Sequence, residues 1–330
     1  MREFWLRNWK ELLGIIGTIF TGVVAIVVAL IAKEKKKGQS PAAEPQQPKP
    51  KNKNLPYRQA QVFKEHNDYP KALEHYRKAA EEYEDDSLDQ AIAFIAAGIM
   101  CHTLAEYNDA ISFFLKAQAI YVDDPTANRL ELTWIYNNLA VVYKDQGKYD
   151  EALRWHHKAL AVSEKVLSKE HTVTAGIYNN IGEAHGRKGE HDRALEWYFK
   201  ALAVREKALG KEHPRTAGTY NNIAAVYYIQ EEYDDALECF FRALKVFEKT
   251  LGKEHPRTAM TYENIAIVYS IQEKYDDAFK LYLKAYRVYL SKLGEDHPET
   301  TICVDNMHAA YKASGAAQPI DNWLAAQLNS

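Results

Sequence analysis

The chain holds three cysteines in 330 residues, and Cys101, Cys239 and Cys303 stand far apart with no CxxC pair. That excludes a disulfide framework and a zinc ribbon, and it suits small core fillers in a reducing compartment. No charge of one sign dominates. The formal net charge of −3 excludes the basic footprint of a nucleic-acid binder. HExxH, the P-loop, GxSxG and a GxGxxG after a strand are all missing, so no catalytic constellation is visible and the chain reads as a non-enzyme without metal or cofactor. Glu231 with Glu232, and Asp234 with Asp235, fall at turns and helix starts, where acids favour the helix dipole. The remaining composition, 47% hydrophobic and 26% charged, is that of an ordinary globular core and surface.

One long apolar run is present. Residues 12–32 carry no charge, and at about 1.5 Å rise per residue they match the ~30 Å hydrocarbon core of a bilayer. Trp5 and Trp9 precede the run, at the depth where aromatic rings favour the interface. A cleaved signal peptide has a shorter apolar region and small residues at its cleavage site, whereas Leu30 stands two residues before Ala32, so a retained anchor is expected. Lys33, Lys35, Lys36 and Lys37 follow at once and place the C-terminal side in the cytoplasm by the positive-inside rule. Residues 12–37 are therefore expected to contact membrane lipid, the lysines adding attraction to anionic headgroups. Gly14, Thr18 and Gly22, with Ala25 and Ala29, form a small-residue stripe that can bring two such helices together, as a homo-oligomer face or as ordinary membrane composition. Residues 33–55, with Pro41, Pro45, Pro48 and Pro50, read as an extended, solvated linker.

The C-terminal half repeats itself every 42 residues: WIYNNLA at 134–140, GIYNNIG at 176–182, GTYNNIA at 218–224 and MTYENIA at 260–266. Fixed-period self-similarity marks a solenoid, whose units bury apolar faces only against their neighbours. Tyr136, Leu139, Ala140 and Tyr143 form the i, i+3, i+4, i+7 stripe of a first helix, Gly147 marks a turn, and Ala152, His156, Ala159 and Leu160 form the stripe of a second helix. Small residues recur where the two helices must approach to about 8–10 Å: Ala140, Ala152 and Ala159, then Gly182, Ala194 and Ala201, then Ala224, Ala236 and Ala243, then Ala266, Ala278 and Ala285. Gly98, Tyr107, Ala110, Phe114 and Ala117 fit an earlier unit, and Ala60, Phe63, Ala72, Tyr76 and Ala79 a more compact one before it. Asn306 and Tyr311 continue the register into a terminal first helix, and residues 321–328 close the stack.

Small–x–x–Tyr, then alanine, aromatic and alanine in the second helix, resembles the tetratricopeptide repeat. The 42-residue spacing, the YNNLAxVY helix and the LGKEHPRTA connector are similar to the repeats of kinesin light chain and its bacterial relatives. The resemblance covers residues 56–315 and implies an all-α, right-handed superhelix of about six repeats with a C-terminal capping helix, which the apolar run would place behind one transmembrane helix. The heptad coiled coil of kinesin light chain is missing, so a motor-adaptor role does not carry over. In the superhelices it resembles, asparagines at one first-helix position bond the backbone of an extended peptide along the concave wall. That role carries over to Asn138, Asn180, Asn222, Asn264 and Asn306, with Asn137, Asn179 and Asn221 beside them and Glu263 and Asp305 breaking the second row. The competing reading is that these amides bond neighbouring helices. The paired Lys and Asn of a carboxylate clamp are missing, and Val141, Glu183, Ala225, Ile267, Lys144, Tyr228 and Ser270 give the wall a mixed lining.

His171, His213, His255 and His297 recur in the connectors, three of them before Pro214, Pro256 and Pro298. Equivalent positions in successive units stand about 10 Å apart, too far for shared metal ligation, so these histidines are expected to pack or cap at the corner, with proline in the first helical turn. The expected organisation is a tail and anchor over 1–32, a linker over 33–55, the solenoid over 56–315 and a cap over 316–330. The expected function is recruitment of a partner polypeptide at a membrane. The alternative is a regulatory or effector subunit whose membrane helix oligomerises.

Overall fold

The computed structural model describes residues 49–51, 54–83, 87–123 and 129–316. The anchor segment 12–32, the linker up to residue 48 and the closing segment 321–328 lie outside the described residues. Among the described residues, no helix is long and apolar enough to cross a membrane.

The described residues form thirteen α-helices in succession. They make six helix-turn-helix pairs: α1 (Leu55–Glu65) with α2 (Tyr69–Glu82), α3 (Leu88–Thr103) with α4 (Tyr107–Asp123), α5 (Arg129–Asp145) with α6 (Tyr149–Val166), α7 (Thr172–Lys188) with α8 (His191–Leu209), α9 (Pro214–Ile229) with α10 (Tyr233–Thr250), and α11 (Pro256–Ile271) with α12 (Tyr275–Leu293). A single first helix, α13 (Pro298–Ala313), follows. The expected helix pairs and terminal helix are therefore present.

Each pair closes through one left-handed residue. Asn67, Ala105, Gly147, Gly189, Glu231 and Glu273 have φ between 60 and 85°. The sequence marks Gly147 as a turn but not Ala105, Glu231 or Glu273, because L residues disfavour this region by about 1–2 kcal/mol. A backbone bond offsets the cost: Glu106 N–H donates to Cys101 O at 2.8 Å, and Glu232 N–H to Tyr227 O at 2.9 Å, the pattern that ends a helix sharply.

The connectors between pairs are built differently. Nδ1 of His171, His213, His255 and His297 accepts the backbone N–H two residues on, at 3.1 to 3.2 Å, so each histidine caps the next first helix as the corner reading required. Pro214, Pro256 and Pro298 open their helices. Thr174, Thr216, Thr258 and Thr300 return Oγ1–H to the carbonyls of Ser168, Gly210, Gly252 and Gly294 at 2.7 to 2.8 Å. Those four residues all have φ between 87 and 100°, and Ser168 alone carries a side chain there. Ser168→Gly is expected to raise stability by about 1 kcal/mol, read as a rise in thermal midpoint; an unchanged midpoint would show that the connector carries no strain.

The chain divides into two compact units, Met1–Trp197 and Tyr198–Ser330. In the first, the alanines at the close-approach positions, among them Ala72, Ala79, Ala110, Ala117, Ala140, Ala152 and Ala159, are fully buried, and Tyr76, Phe114, Tyr121, Ile135 and Leu139 fill the space between helices. Each large core side chain contributes about 2–3 kcal/mol. Its N-terminal edge is fastened by Asn54, which caps α1 through Tyr57 N–H at 3.0 Å and donates Nδ2–H to Ala79 O at 3.0 Å. In the second unit the same positions, Ala224, Ala236, Ala243, Ala266, Ala278 and Ala285, are again fully buried, around Phe240, Phe247, Tyr282 and Tyr289. First helices α9 and α11 bury residues around much of their circumference, Thr216, Ala217, Thr219, Ile223, Ala224 and Val226 on α9, because each is flanked by helices on more than one side.

Candidate peptide-binding surface

The asparagine positions lie on the first helices, side by side within each unit. In the first unit, Asn180 on α7 donates Nδ2–H to Asn137 Oδ1 on α5 at 2.9 Å, and Asn138 donates Nδ2–H to Trp134 O one turn back at 2.8 Å. In the second, Asn306 on α13 donates Nδ2–H to Glu263 Oε1 on α11 at 3.0 Å. Asn221 is buried with Oδ1 unpartnered, whereas Asn138, Asn180, Asn222 and Asn264 are half-buried. Asn179 and Asn222 also engage in interactions with the chain. The two rows thus cooperate across neighbouring helices: where a cross-helix bond forms, the row of Asn180 and Asn306 donates and the second row, Asn137 and Glu263, accepts. Within the described residues, no hydrogen bond uses Oδ1 of Asn138, Asn180 or Asn306, or either amide atom of Asn264. These acceptors stay open to a donor from outside.

One turn further along, the first unit carries a polar chain across three first helices. His102 Nε2 on α3 contacts Asp145 Oδ2 on α5 at 2.7 Å, Lys144 Nζ lies 3.7 Å from Asp145 Oδ1, and Lys144 donates to Glu183 Oε1 on α7 at 2.6 Å. The Lys144 and Glu183 side chains are 12% and 21% exposed, so this pair is largely removed from water. Burial pulls the Lys144 ammonium down, but Glu183 and Asp145 outweigh it and hold the group above its ordinary value. Burial likewise lifts Glu183, and Lys144 outweighs it to leave the carboxyl below its ordinary value. Beneath them His156 is fully buried, its ring nitrogens without partners. Burial, then Lys144, push it down to about 3, so it fills an aromatic core position as a neutral ring, as Phe114 does one repeat earlier. The sequence placed Lys144 and Glu183 on the lining but not as a pair. Their 39-residue spacing, three short of the repeat, was the signal that adjacent first helices bring them together.

In the second unit Glu263 replaces the asparagine of the second row. It is 6% exposed, accepts Tyr289 Oη–H at 3.2 Å as well as Asn306, and burial raises its carboxyl to about 7.

Cys101, Glu106 and Asp109 bring ligand atoms within 4.8 Å of one another, but Arg77 occupies the cluster: Nη2 lies 3.9 Å from the sulfur, 3.7 Å from Glu106 and 3.0 Å from Asp109. Burial pushes the Cys101 thiol up to about 11, so it stays protonated and is a poor metal ligand. Two open clefts, of about 640 Å³ beside Tyr275, Phe279 and Tyr311 and about 360 Å³ beside Tyr107 and Gln146, lie near inter-helix turns and contain no asparagine of either row.

Comparison with known proteins agrees with the fold. The tetratricopeptide-repeat family model matches residues 131–207, 173–240 and 215–291, and a second model of the same description matches residues 57–125. No curated protein matches the sequence. Among solved structures, BtubC (BKLC) from P. vanneervenii is similar at 22% identity and a TM-score of 0.58, over 73% of this chain and 93% of that one. Aspartyl phosphate phosphatase F from Bacillus subtilis is similar at 13% identity and a TM-score of 0.58, over 80% of this chain and 72% of that one. A STAND signal-transduction ATPase from Pyrococcus horikoshii, described as having a tetratricopeptide-repeat sensor, is similar at 17% identity and a TM-score of 0.61, over 79% of this chain and 39% of that one. These likenesses concern the fold. The two family models together span more than half of the sequence, and the chain belongs to the tetratricopeptide-repeat family.

Proposed function

We propose that the chain is a membrane-anchored interaction scaffold that holds an extended segment of a partner polypeptide along its first helices. The repeat fold supports protein binding as the general activity. The observation that carries the finer reading is the set of open acceptors that each unit carries on its first helices. Asn138, Asn180 and Asn306 commit their donors within the chain and keep Oδ1 free, and Asn264 keeps its whole amide. An extended peptide presents a backbone N–H at regular intervals and meets such a row without regard to its own side chains. The anchor over 12–32 would hold the complex at a bilayer, with the repeats on the cytoplasmic side.

Peptides selected from a random dodecapeptide library on the purified chain are expected to bind Asn180→Ala/Asn222→Ala/Asn264→Ala at least about tenfold more weakly, at about 0.5–1.5 kcal/mol per bond. An unchanged affinity in a folded triple variant sinks the reading. A topology reporter fused after Ser330 tests the orientation and should respond in the cytoplasm.

A further inference from the structure

The first helices of the second unit turn apolar beyond their asparagines. On α9, Asn222, Ala225 and Ile229 fall at i, i+3 and i+7 and so share one face; on α11, Asn264, Ile267 and Ile271 do the same. From Asn222 to the end of α9, and from Asn264 to the end of α11, no residue is charged. Ile229 is 40% exposed and Ile271 45%, and Ile267 is half-buried. Repeat packing does not demand an aliphatic side chain at this last place. Asp145 and Arg187 hold it on α5 and α7, where Asp145 meets His102 and Lys144. Two exposed isoleucines in succession, at a place that accepts ions, form an apolar wall that the core does not use.

The wall ends on carboxylates. The turn after Ile229 carries Glu231, Glu232 and Asp234, and the turn after Ile271 carries Glu273, Asp276 and Asp277. Gln272 Nε2–H donates to Asp234 Oδ1 at 3.4 Å, which brings the two turns together along one edge. The open cleft of about 640 Å³ begins at Glu273, two residues past Ile271, and is lined by Asp276 and Asp277 beside the rings of Tyr275, Phe279 and Tyr311. The cations of this edge are engaged: Lys274 Nζ donates to Gln272 Oε1 at 2.9 Å and lies over the Tyr269 ring, and Lys280 pairs with Asp277 at 2.9 Å. Among the described residues, no ion pair uses Glu231, Glu273 or Asp276. Carboxylates beside aromatic rings are the surroundings that a basic side chain favours.

We infer that the wall and the cleft receive an apolar-and-basic stretch of the partner polypeptide: a leucine-sized side chain packs against Ile229 and Ile271, and a lysine or arginine beside it enters the cleft at Glu273 and Asp276. The inference rests on the peptide reading for the grip on the backbone and adds the side chains that the second unit selects. Ile267 stands one helical turn from Asn264 and Ile271 two turns, so a segment gripped at that amide passes directly beside the wall. An apolar side chain alone would leave the neighbouring carboxylates without a counter-charge, and a basic neighbour supplies it.

The test uses the purified full-length chain and four pools of random dodecapeptides, with the central residue fixed as leucine or serine and two further positions fixed as lysine or as glutamate. The wild type should retain the leucine–lysine pool about tenfold better than the serine–lysine pool, the effect of half-burying one aliphatic side chain. At low salt it should also prefer leucine–lysine to leucine–glutamate about threefold, and 0.5 M salt should remove that preference. Ile229→Ser/Ile271→Ser should lose the leucine preference and keep the lysine one; Glu273→Gln/Asp276→Asn should do the reverse. All four positions are exposed, so both variants should melt close to the wild type. A benzoylphenylalanine photocrosslinker at residue 271 gives a second readout and should capture the leucine–lysine peptides. Equal retention of the leucine and serine pools by the wild type, a leucine preference that survives Ile229→Ser/Ile271→Ser, a preference for glutamate over lysine, or a crosslink to residues 1–48 or 317–330 of the chain itself overturns the inference. If Asn180→Ala/Asn222→Ala/Asn264→Ala still weakens all four pools in that case, the asparagine reading stands. A leucine preference lost with the isoleucines while the asparagine variant binds every pool as the wild type does would instead sink the asparagine reading and keep the wall.

Discussion

Replacing Lys144 with methionine is expected to lower the stability of the chain by about 3 kcal/mol, and replacing Glu183 with methionine as well should recover most of the loss. The ammonium stands 2.6 Å from Glu183 and 3.7 Å from Asp145, and its side chain is only 12% exposed. Without it, Glu183 keeps only the weaker pull of Arg187 and Asp145 only its contact with His102, and His156 below is held neutral by its burial. A buried pair broken on one side costs about 3–5 kcal/mol, and the 21% exposure of Glu183 places this case at the low end. Removing both charges replaces a desolvated pair by apolar surface of similar volume, which is commonly neutral or better. Urea unfolding of the wild type, the two single variants and the double variant at pH 7 gives the coupling directly. A coupling below about 1 kcal/mol, or one abolished by 0.5 M salt, would show a solvated surface pair instead.

What the sequence made legible follows from how a solenoid repeats. Ala140, Ala152 and Ala159 and their counterparts were readable because close helix packing admits only small side chains, and the same demand returns every 42 residues. The connector was readable for a similar reason: His213, Pro214 and Thr216 each perform a local task within a few residues of their own backbone. Lateral partners were not. Asn180 meets Asn137 and Asn306 meets Glu263 across 43 residues, and Lys144 meets Glu183 across 39, so their pairing depends on how one first helix slides against the next. The pattern showed that Asn137, Asn179 and Asn221 gave way to Glu263, but not that this carboxyl would be buried against Tyr289. Of the two readings weighed for the asparagines, bonding between neighbouring helices is seen at Asn180 and Asn306, while peptide contact through the open acceptors is a proposal. Nδ2 of Asn180 ties neighbouring helices together while its Oδ1 stays open.

Glu263→Gln is expected to stabilise the chain by up to about 3 kcal/mol at pH 8 and by almost nothing at pH 4.5. Burial raises the folded carboxyl to about 7 from an ordinary value of 4.5, against smaller opposing effects of the Asn306 and Tyr289 hydrogen bonds. Between these two values the folded chain holds a proton that the unfolded chain has released. Stability therefore falls as pH climbs from 4.5 to 7 and levels off above that, once both states are ionised. Glutamine keeps the shape and carries no charge, so the gap between variant and wild type should open across this window and stay constant beyond it. Glu299, on the first turn of α13, is also raised to about 7 by burial and adds to the lift on Glu263. It should leave a residual fall with pH in Glu263→Gln, and Glu263→Gln/Glu299→Gln should remove it. Urea midpoints at pH 4.5, 6, 7 and 8 measure the effect. A gap that is the same at every pH would mean that Glu263 ionises like an exposed carboxyl, and that water reaches the α11–α13 contact where its bonds to Tyr289 and Asn306 were expected to exclude it.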